Sequence, residues 1–268
     1  MTPAKYLKLF DISLQNTVVY RWNFLLRSLF EVMPLVGTVY LWRALFTARG
    51  ADIAGYDFEA MVYYFLLTLF VSNLVTPADD DWQIASDIRE GQLNALLIKP
   101  VNYLGYRVSL FLGNRATHTA VTLPFVLLIF ACFHRFIRLP AHPETWLWTL
   151  LSVGMAAFLQ FFITFTVAML AFWLLEISTV VFIVLSFEYF LSGHLFPLDL
   201  TPAWFQVAAR WLPFTYELFF PVSVFLEKTR GAALYQGLLI QAGWVALAWL
   251  AGRVMWSRGL RHYGAFGG

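Results

Sequence analysis

Ser192 and His194 flank Gly193 in LSGHLF, and a hydroxyl beside an imidazole is the beginning of a nucleophilic site. No acid comes after them at a spacing that would orient the imidazole, and the pattern is not a strand-to-helix nucleophile elbow. The histidines at 118, 134, 142, 194 and 262 lack metal-ligand spacing, and no H-E-x-x-H occurs. The sole cysteine, Cys132, excludes an intrachain disulfide and lies in an apolar run, where it is expected to pack. The chain contains no G-x-x-x-x-G-K-S/T, so it is expected to cradle no nucleotide phosphates itself. Catalytic residues, metal ligands and cofactor-binding residues are thus all expected to be none.

Carboxylates in apolar surroundings remain, because an ionisable group at membrane depth is costly and is usually functional or paired. Glu188, in VLSFEYFLSG, is the sharpest case. Either it faces a partner chain or a polar path, or it makes a structural hydrogen bond to a Tyr or Ser on a neighbouring helix. Glu31 has Arg27 four residues earlier, which suits a local pair. Arg43 lies about 18 Å from Glu31 along a helix and cannot reach it. Glu176 falls at a turn.

The elements that must position these groups are membrane helices. The chain is 60% hydrophobic and 13% charged, against about 25% charged in soluble domains. A net charge of +2 and the absence of basic patches interleaved with aromatics argue against nucleic acid as a partner. A helix needs about 20 apolar residues to cross the hydrocarbon. Six stretches qualify, at 24–47, 58–76, 108–132, 146–174, 177–195 and 232–256. Lys and Arg are more frequent on the side that holds both ends, which puts the termini and the 77–107 loop in the cytoplasm.

Residues 4–20 do not read as a cleaved signal, because Lys5 and Lys8 are followed by Asp11, Gln15 and Asn16. Leu7, Phe10, Leu14 and Val18 instead line one helical face, which suits a helix lying in the headgroup layer; a cytosolic amphipathic helix shows the same pattern. In 196–228 the prolines at 197, 202, 213 and 221 cut an apolar stretch into pieces. Two short helices, about 202–211 and 215–227, dipping into the outer leaflet and returning account for it, as does one kinked span.

DIREGQLNALLIKPVN, at 87–102, stands apart as polar. Asp79, Asp80 and Asp81 suit a helix start. Trp82, Ala85 and Ile88 fall on one face with Asp87 and Glu90 pointing away, Gly91 can end the helix, and Lys99-Pro100 stops the apolar LNALLI run after it. The product is a short stiff helix joined to two spans, able to pass on a push; a solvated connector fits the composition equally well.

This stretch resembles the IREG…LLxKP segment of bacterial type-2 ATP-binding-cassette (ABC) export permeases. LSGHLFPLDLTPAWFQ (191–206), with its SGxxFPL core, and LPFTYELFFPVSVFL (212–226) resemble the same group's outer re-entrant region, and WSRGLRHYGAFGG its C-terminal tail. The matches run in the family's order over most of the chain. The resemblance implies an all-α polytopic membrane protein of the bacterial inner membrane. It would have six transmembrane helices, an N-terminal interfacial helix, a coupling region at 79–99, and two outer re-entrant helices at 196–228 before span six. It also implies a pair of cytosolic ABC ATPase subunits that carry the ATP and Mg, and a second permease copy or a related sister permease. By that resemblance Trp82, Ile84, Ile88, Arg89, Glu90 and Leu93 meet the ATPase, and Pro197, Pro202, Pro213 and Pro221 shape an outer gate. The implied activity is export of a drug, lipid, peptide or glycan. The rival is a secondary transporter driven by an ion gradient, which usually shows matching broken helices in both halves. Here only 196–228 is broken.

Overall fold

The computed structural model describes residues 21–49, 53, 55–76, 80–98 and 102–263. The interfacial helix expected at 4–20 lies outside the described residues, as do Asp79, Lys99 and Pro100. The side chains of Arg27 and Glu31 also lie outside the described set. Most of the described residues are helical, and none forms a strand. The helices in chain order are α1 (Arg21–Arg49), α2 (Phe58–Val75), α3 (Asp80–Arg89), α4 (Gln92–Leu97), α5 (Tyr103–Cys132) and α6 (Glu144–Ala168). After these come α7 (Ser178–Leu191), α8 (Ala203–Arg210), α9 (Phe219–Phe225) and α10 (Ala232–His262). A tight 3-10 turn, Met169–Phe172, prolongs α6.

Among the described residues, four helices are long and apolar enough to cross a membrane: α2, α5, α6 with its extension, and α10. Two of them start at a clear local cap. Asp57 caps α2 by accepting the Ala60 N–H at 2.6 Å, and Asn102 caps α5 by accepting the Gly105 N–H at 3.0 Å. Met61 through Thr68 are all buried, so α2 is surrounded by protein. That matches its apolar composition on every face. Around it pack α1, α5, α6 and α9. Elsewhere large apolar side chains point outward, among them Phe182, Phe187 and Phe190 of α7 and Leu239 of α10. Hydrocarbon is the medium in which such a surface is stable. Cys132, expected to pack, is exposed at the end of α5. An apolar run in this chain faces lipid as readily as core.

The helix expected at 177–195 covers only Ser178–Leu191. Its 14 residues reach about 21 Å, short of a hydrocarbon core of about 30 Å. The chain therefore leaves helical geometry within the membrane domain, and its freed backbone groups need partners there. They find them inside the protein. The Phe219 N–H donates to the Ser192 carbonyl at 2.9 Å. Tyr64 Oη donates to the Gly193 carbonyl at 2.7 Å, and Thr215 Oγ1 to the Ala209 carbonyl at 2.8 Å. Gln241 Nε2 of α10 donates to the carbonyls of Tyr216 (2.8 Å) and Ser152 (2.9 Å). Prolines set the breaks. Pro197 precedes a 3-10 turn at Leu198–Leu200, Pro202 stands at the start of α8, Pro213 opens the 3-10 turn Pro213–Tyr216, and Pro221 lies in the first turn of α9.

Two apolar clusters form the core. One joins α3, α4, the start of α5, the later half of α6 and α10. The other gathers α2, part of α1, and α9. Helices α6 and α9 contribute to both.

Candidate functional site

At one end of the domain, α3 lies across α6 and its 3-10 extension. Ile84, Ala85, Ile88 and, on α4, Leu93 are all buried there. Gly91 separates the two helices with φ +75°, a left-handed conformation that costs a side-chain-bearing residue about 1 kcal/mol or more. Beneath α3, Asp87 makes an ion pair with Arg107, whose side chain is 4% exposed. Tyr103 Oη donates to Asp87 Oδ2 at 3.1 Å and accepts from Arg107 Nε at 3.0 Å. The Tyr103 ring stacks on Trp256 of α10 at 4.5 Å. On the opposite face, Arg89 donates to the Leu175 carbonyl at 2.6 Å, Glu90 accepts from Gln92 at 3.0 Å, and Trp82 is 45% exposed.

The six residues expected to meet a partner here therefore divide. Trp82, Arg89 and Glu90 are on the surface. Ile84, Ile88 and Leu93 are buried against the chain's own helices, because apolar side chains at i and i+4 turn to the core when a membrane helix offers one. The expected face also shifts: Ala85 and Ile88 share theirs with Ile84 and not with Trp82, and Asp87 points inward to Arg107.

A second polar group lies inside the domain. Gln160 of α6, Glu188 of α7 and Glu217, just after the Pro213 turn, are 2%, 9% and 2% exposed. Glu188 Oε2 accepts from Gln160 Nε2 at 2.9 Å. Among the described residues, neither oxygen of Glu217 has a hydrogen-bond partner, nor has Gln160 Oε1. Glu217 is held beside the end of α7, because Thr215 Oγ1 donates to the Leu191 carbonyl at 3.3 Å and the Phe219 N–H to the Ser192 carbonyl at 2.9 Å. Sequence alone sets Glu188 against a partner chain or a polar path, or in a bond to a Tyr or Ser; its carboxylate lies within this chain, against Gln160. Sequence reasoning misses Glu217. Its signal is an acid inside an apolar, proline-bounded run, the same signal that singles out Glu188.

Ionic ties hold the two ends of the proline-cut segment. Asp199 accepts from Tyr56 Oη at 3.0 Å and pairs with Lys228 at 2.9 Å, while the Lys228 ammonium stands over the Tyr56 ring. Burial first, then the Asp199 carboxylate, pushes the Tyr56 phenol up. Glu227 accepts from Thr145 Oγ1 at 2.9 Å and pairs with Arg230 and His142. Beside these ties is a cavity of about 220 Å³ lined by Asp199, Gln206, Arg210, Thr215 and Lys228 among others.

Ser192 Oγ does meet His194 Nδ1, at 2.8 Å, but the other ring nitrogen meets the Ser72 hydroxyl at 3.2 Å. A hydroxyl in the acid's place gives no hydrolytic triad. Among the described residues no group of three or more His, Cys, Asp or Glu side chains could hold a metal ion.

Residues 32–267 match the model of a family described as ABC-2 family transporter protein. No curated protein matches the chain.

Proposed function

Because this chain belongs to the ABC-2 family of transporter proteins, we propose that it is the permease of an exporter powered by ATP hydrolysed on a separate pair of ABC ATPase subunits. The family supplies the coarse frame: a multi-pass membrane subunit that works with an ABC ATPase. Within that frame, both termini and the α3–α4 element lie on the cytoplasmic side of a bacterial inner membrane. A second permease, identical or related, completes the transport path. The prolines at 197, 202, 213 and 221 break the outer segment into pieces that act as a re-entrant gate. The cargo is a drug, lipid, peptide or glycan.

One observation carries this reading. Helix α3 is bound on one face to α5 and α6 by Ile84, Ile88 and the Asp87–Arg107 pair, and its other face leaves Trp82, Arg89 and Glu90 exposed. A helix so built moves with the membrane helices and offers an attachment point outside them. When the ATPase pair closes on ATP and shifts α3, α5 and α6 shift with it. The proline-cut segment, tied to α6 through Thr145–Glu227 and to α10 through Gln241–Tyr216, receives that displacement.

The test is a photo-crosslinking residue placed at Trp82 or Arg89 in native membranes, with mass spectrometry of what is captured. A nucleotide-hydrolysing subunit is the expected product, while the buried position Ile84 captures none. Repeated failure at both surface positions would remove the ATP-driven reading.

A further inference from the structure

We propose that Glu188 and Glu217, with the amide of Gln160, form a proton-holding latch inside the membrane domain: a bound proton keeps the segment between Pro213 and Pro221 seated against α6 and α7, and its loss releases that segment. The cluster joins three elements that are separate in sequence: on either side of Glu217, Thr215 Oγ1 and the Phe219 N–H donate to the Leu191 and Ser192 carbonyls at the end of α7, at 3.3 and 2.9 Å, and all three cluster side chains are at least nine-tenths buried. Within the cluster, the atoms without partners among the described residues are Gln160 Oε1 and both oxygens of Glu217. Every one is an acceptor. A buried polar group costs free energy unless it is bonded, and an unpaired carboxylate costs far more. What the cluster lacks is therefore a donor.

Several donors on the adjoining segments are already committed. Gln160 Nε2 is spent on Glu188, Tyr216 Oη on the Arg210 carbonyl at 3.2 Å, and Thr215 Oγ1 on Ala209. Gln241 Nε2 serves two carbonyls, and Ser152 Oγ serves Gln241. The other titratable groups on surrounding elements are engaged or turned away. Tyr64 bonds Gly193, His194 bonds Ser192 and Ser72, and the Arg210 side chain is exposed. Among the described residues no cation is placed on the pair. A proton meets the deficit with least rearrangement. It turns one carboxylate into a donor, removes a like charge, and leaves Gln160 Oε1 and the second carboxylate as acceptors.

The latch sits where release has consequences. Glu217 lies between two prolines, at the end of a short 3-10 turn, and so has few helical bonds to hold it. Release is the simple dissociation of a carboxylic acid to carboxylate and a proton taken up by water. Two adjacent carboxylates then repel, and Glu217 must move towards solvent. The latch is closed at low pH and opens as pH rises.

The cluster is read from this chain alone, so failure here leaves the permease reading standing; the Trp82 crosslink tests that separately. The experiment uses the full-length chain in lipid nanodiscs. Infrared spectroscopy at neutral pH is expected to show a carboxylic-acid C=O band that Glu217→Gln removes or diminishes. The thermal half-life of the wild type should fall about tenfold or more between about pH 6 and pH 9. That slope should flatten in the Glu188→Gln/Glu217→Gln double variant, whose amides stay neutral. If Glu217→Gln fails to accumulate, Glu188→Gln and the alkaline loss of the wild-type band give the same reading. Absence of the band at neutral pH, or a band untouched by both variants, overturns the proposal. So does stabilisation by sodium or lithium at fixed pH, which would make the ligand a metal cation.

Discussion

Removing Asp87 should unfasten α3 from the membrane helices. Its partner Arg107 is 4% exposed, and Asp87 itself is 16% exposed. Without Asp87 the guanidinium keeps only the Tyr103 hydroxyl, at 3.0 Å, as a polar partner. Breaking a buried pair by deleting one member costs about 3–5 kcal/mol, because a charge is left without compensation. Partial solvation at the Asp87 end puts Asp87→Ala at the lower limit, about 3 kcal/mol. Asp87→Asn retains an acceptor for Tyr103 and should lose about 2 kcal/mol. Replacing both members with apolar residues, Asp87→Leu with Arg107→Met, removes the desolvated charge altogether and should fall within about 1 kcal/mol of wild type. The assay is a double-mutant cycle in reversible denaturation of the full chain in detergent micelles or nanodiscs. A coupling of about 2 kcal/mol or more is expected, well beyond the few tenths seen for independent sites. Single-variant losses that simply add would mean that Asp87 and Arg107 do not share a buried interaction, and the attachment of α3 would then rest on Ile84, Ala85 and Ile88 alone.

Three other sites give outcomes of their own. Desolvation works against the ionised Glu227, but hydrogen bonds from Thr145, from the His142 and Ala141 backbone and from the His142 ring outweigh it and hold the carboxyl at about 2. The folded value lies below the unfolded one, so this contribution is complete above about pH 4.5 and is lost as pH falls towards 2. Melting temperatures measured from pH 5 downward should drop more steeply for wild type than for Glu227→Gln. Gly237 on α10 faces Phe220 of α9 so closely that an added Cβ would overlap the ring. Gly237→Ala should cost about 1–3 kcal/mol through overpacking, with partial recovery in a Phe220→Leu background. Cys132 is the sole cysteine and is exposed at the end of α5. With the termini cytoplasmic, a membrane-impermeant maleimide added to intact cells should label it, and labelling only after lysis would invert the proposed sidedness.

What the sequence discloses and what it hides have the same physical origin. Long apolar helices are legible because crossing hydrocarbon requires about 20 apolar residues whatever the helix packs against. Helix ends and proline breaks are legible because they are local: Gly91 after α3, Pro213 before its turn. Facing is not legible. In a membrane protein an apolar side chain is stable against lipid or protein alike, so composition does not separate exposed Phe182 from buried Phe161. The family resemblance assigns Ile84, Ile88 and Leu93 to a partner, although their place is the core. Glu188 is visible as an acid in an apolar helix. Its grouping with Glu217 and Gln160 is not, because they are brought together only by the break after Leu191, which returns the chain to α6 and α7 instead of continuing the span.

That break also explains why α6 links the two polar centres. Its later turns and 3-10 extension carry α3, its middle carries Gln160, and Thr145 in its first turn holds Glu227. A helix of 29 residues including the extension is stiff over about 40 Å, so tilting one end displaces the other. Helix α7 offers no such path, since it ends at Leu191 and is exposed along Phe182, Phe187 and Phe190. Under the proposed coupling, a push on α3 would therefore reach the Gln160–Glu188 hydrogen bond as a relative motion between α6 and α7. Two hydrogen-bonded side chains on different helices, with Glu217 on a third element, form a junction that small relative tilts would open. Closure of that junction depends on Gln160 keeping its reach to Glu188. The membrane-buried polar group and the surface helix thus answer to one rigid element, although Glu90 and Gln160 stand far apart in the chain.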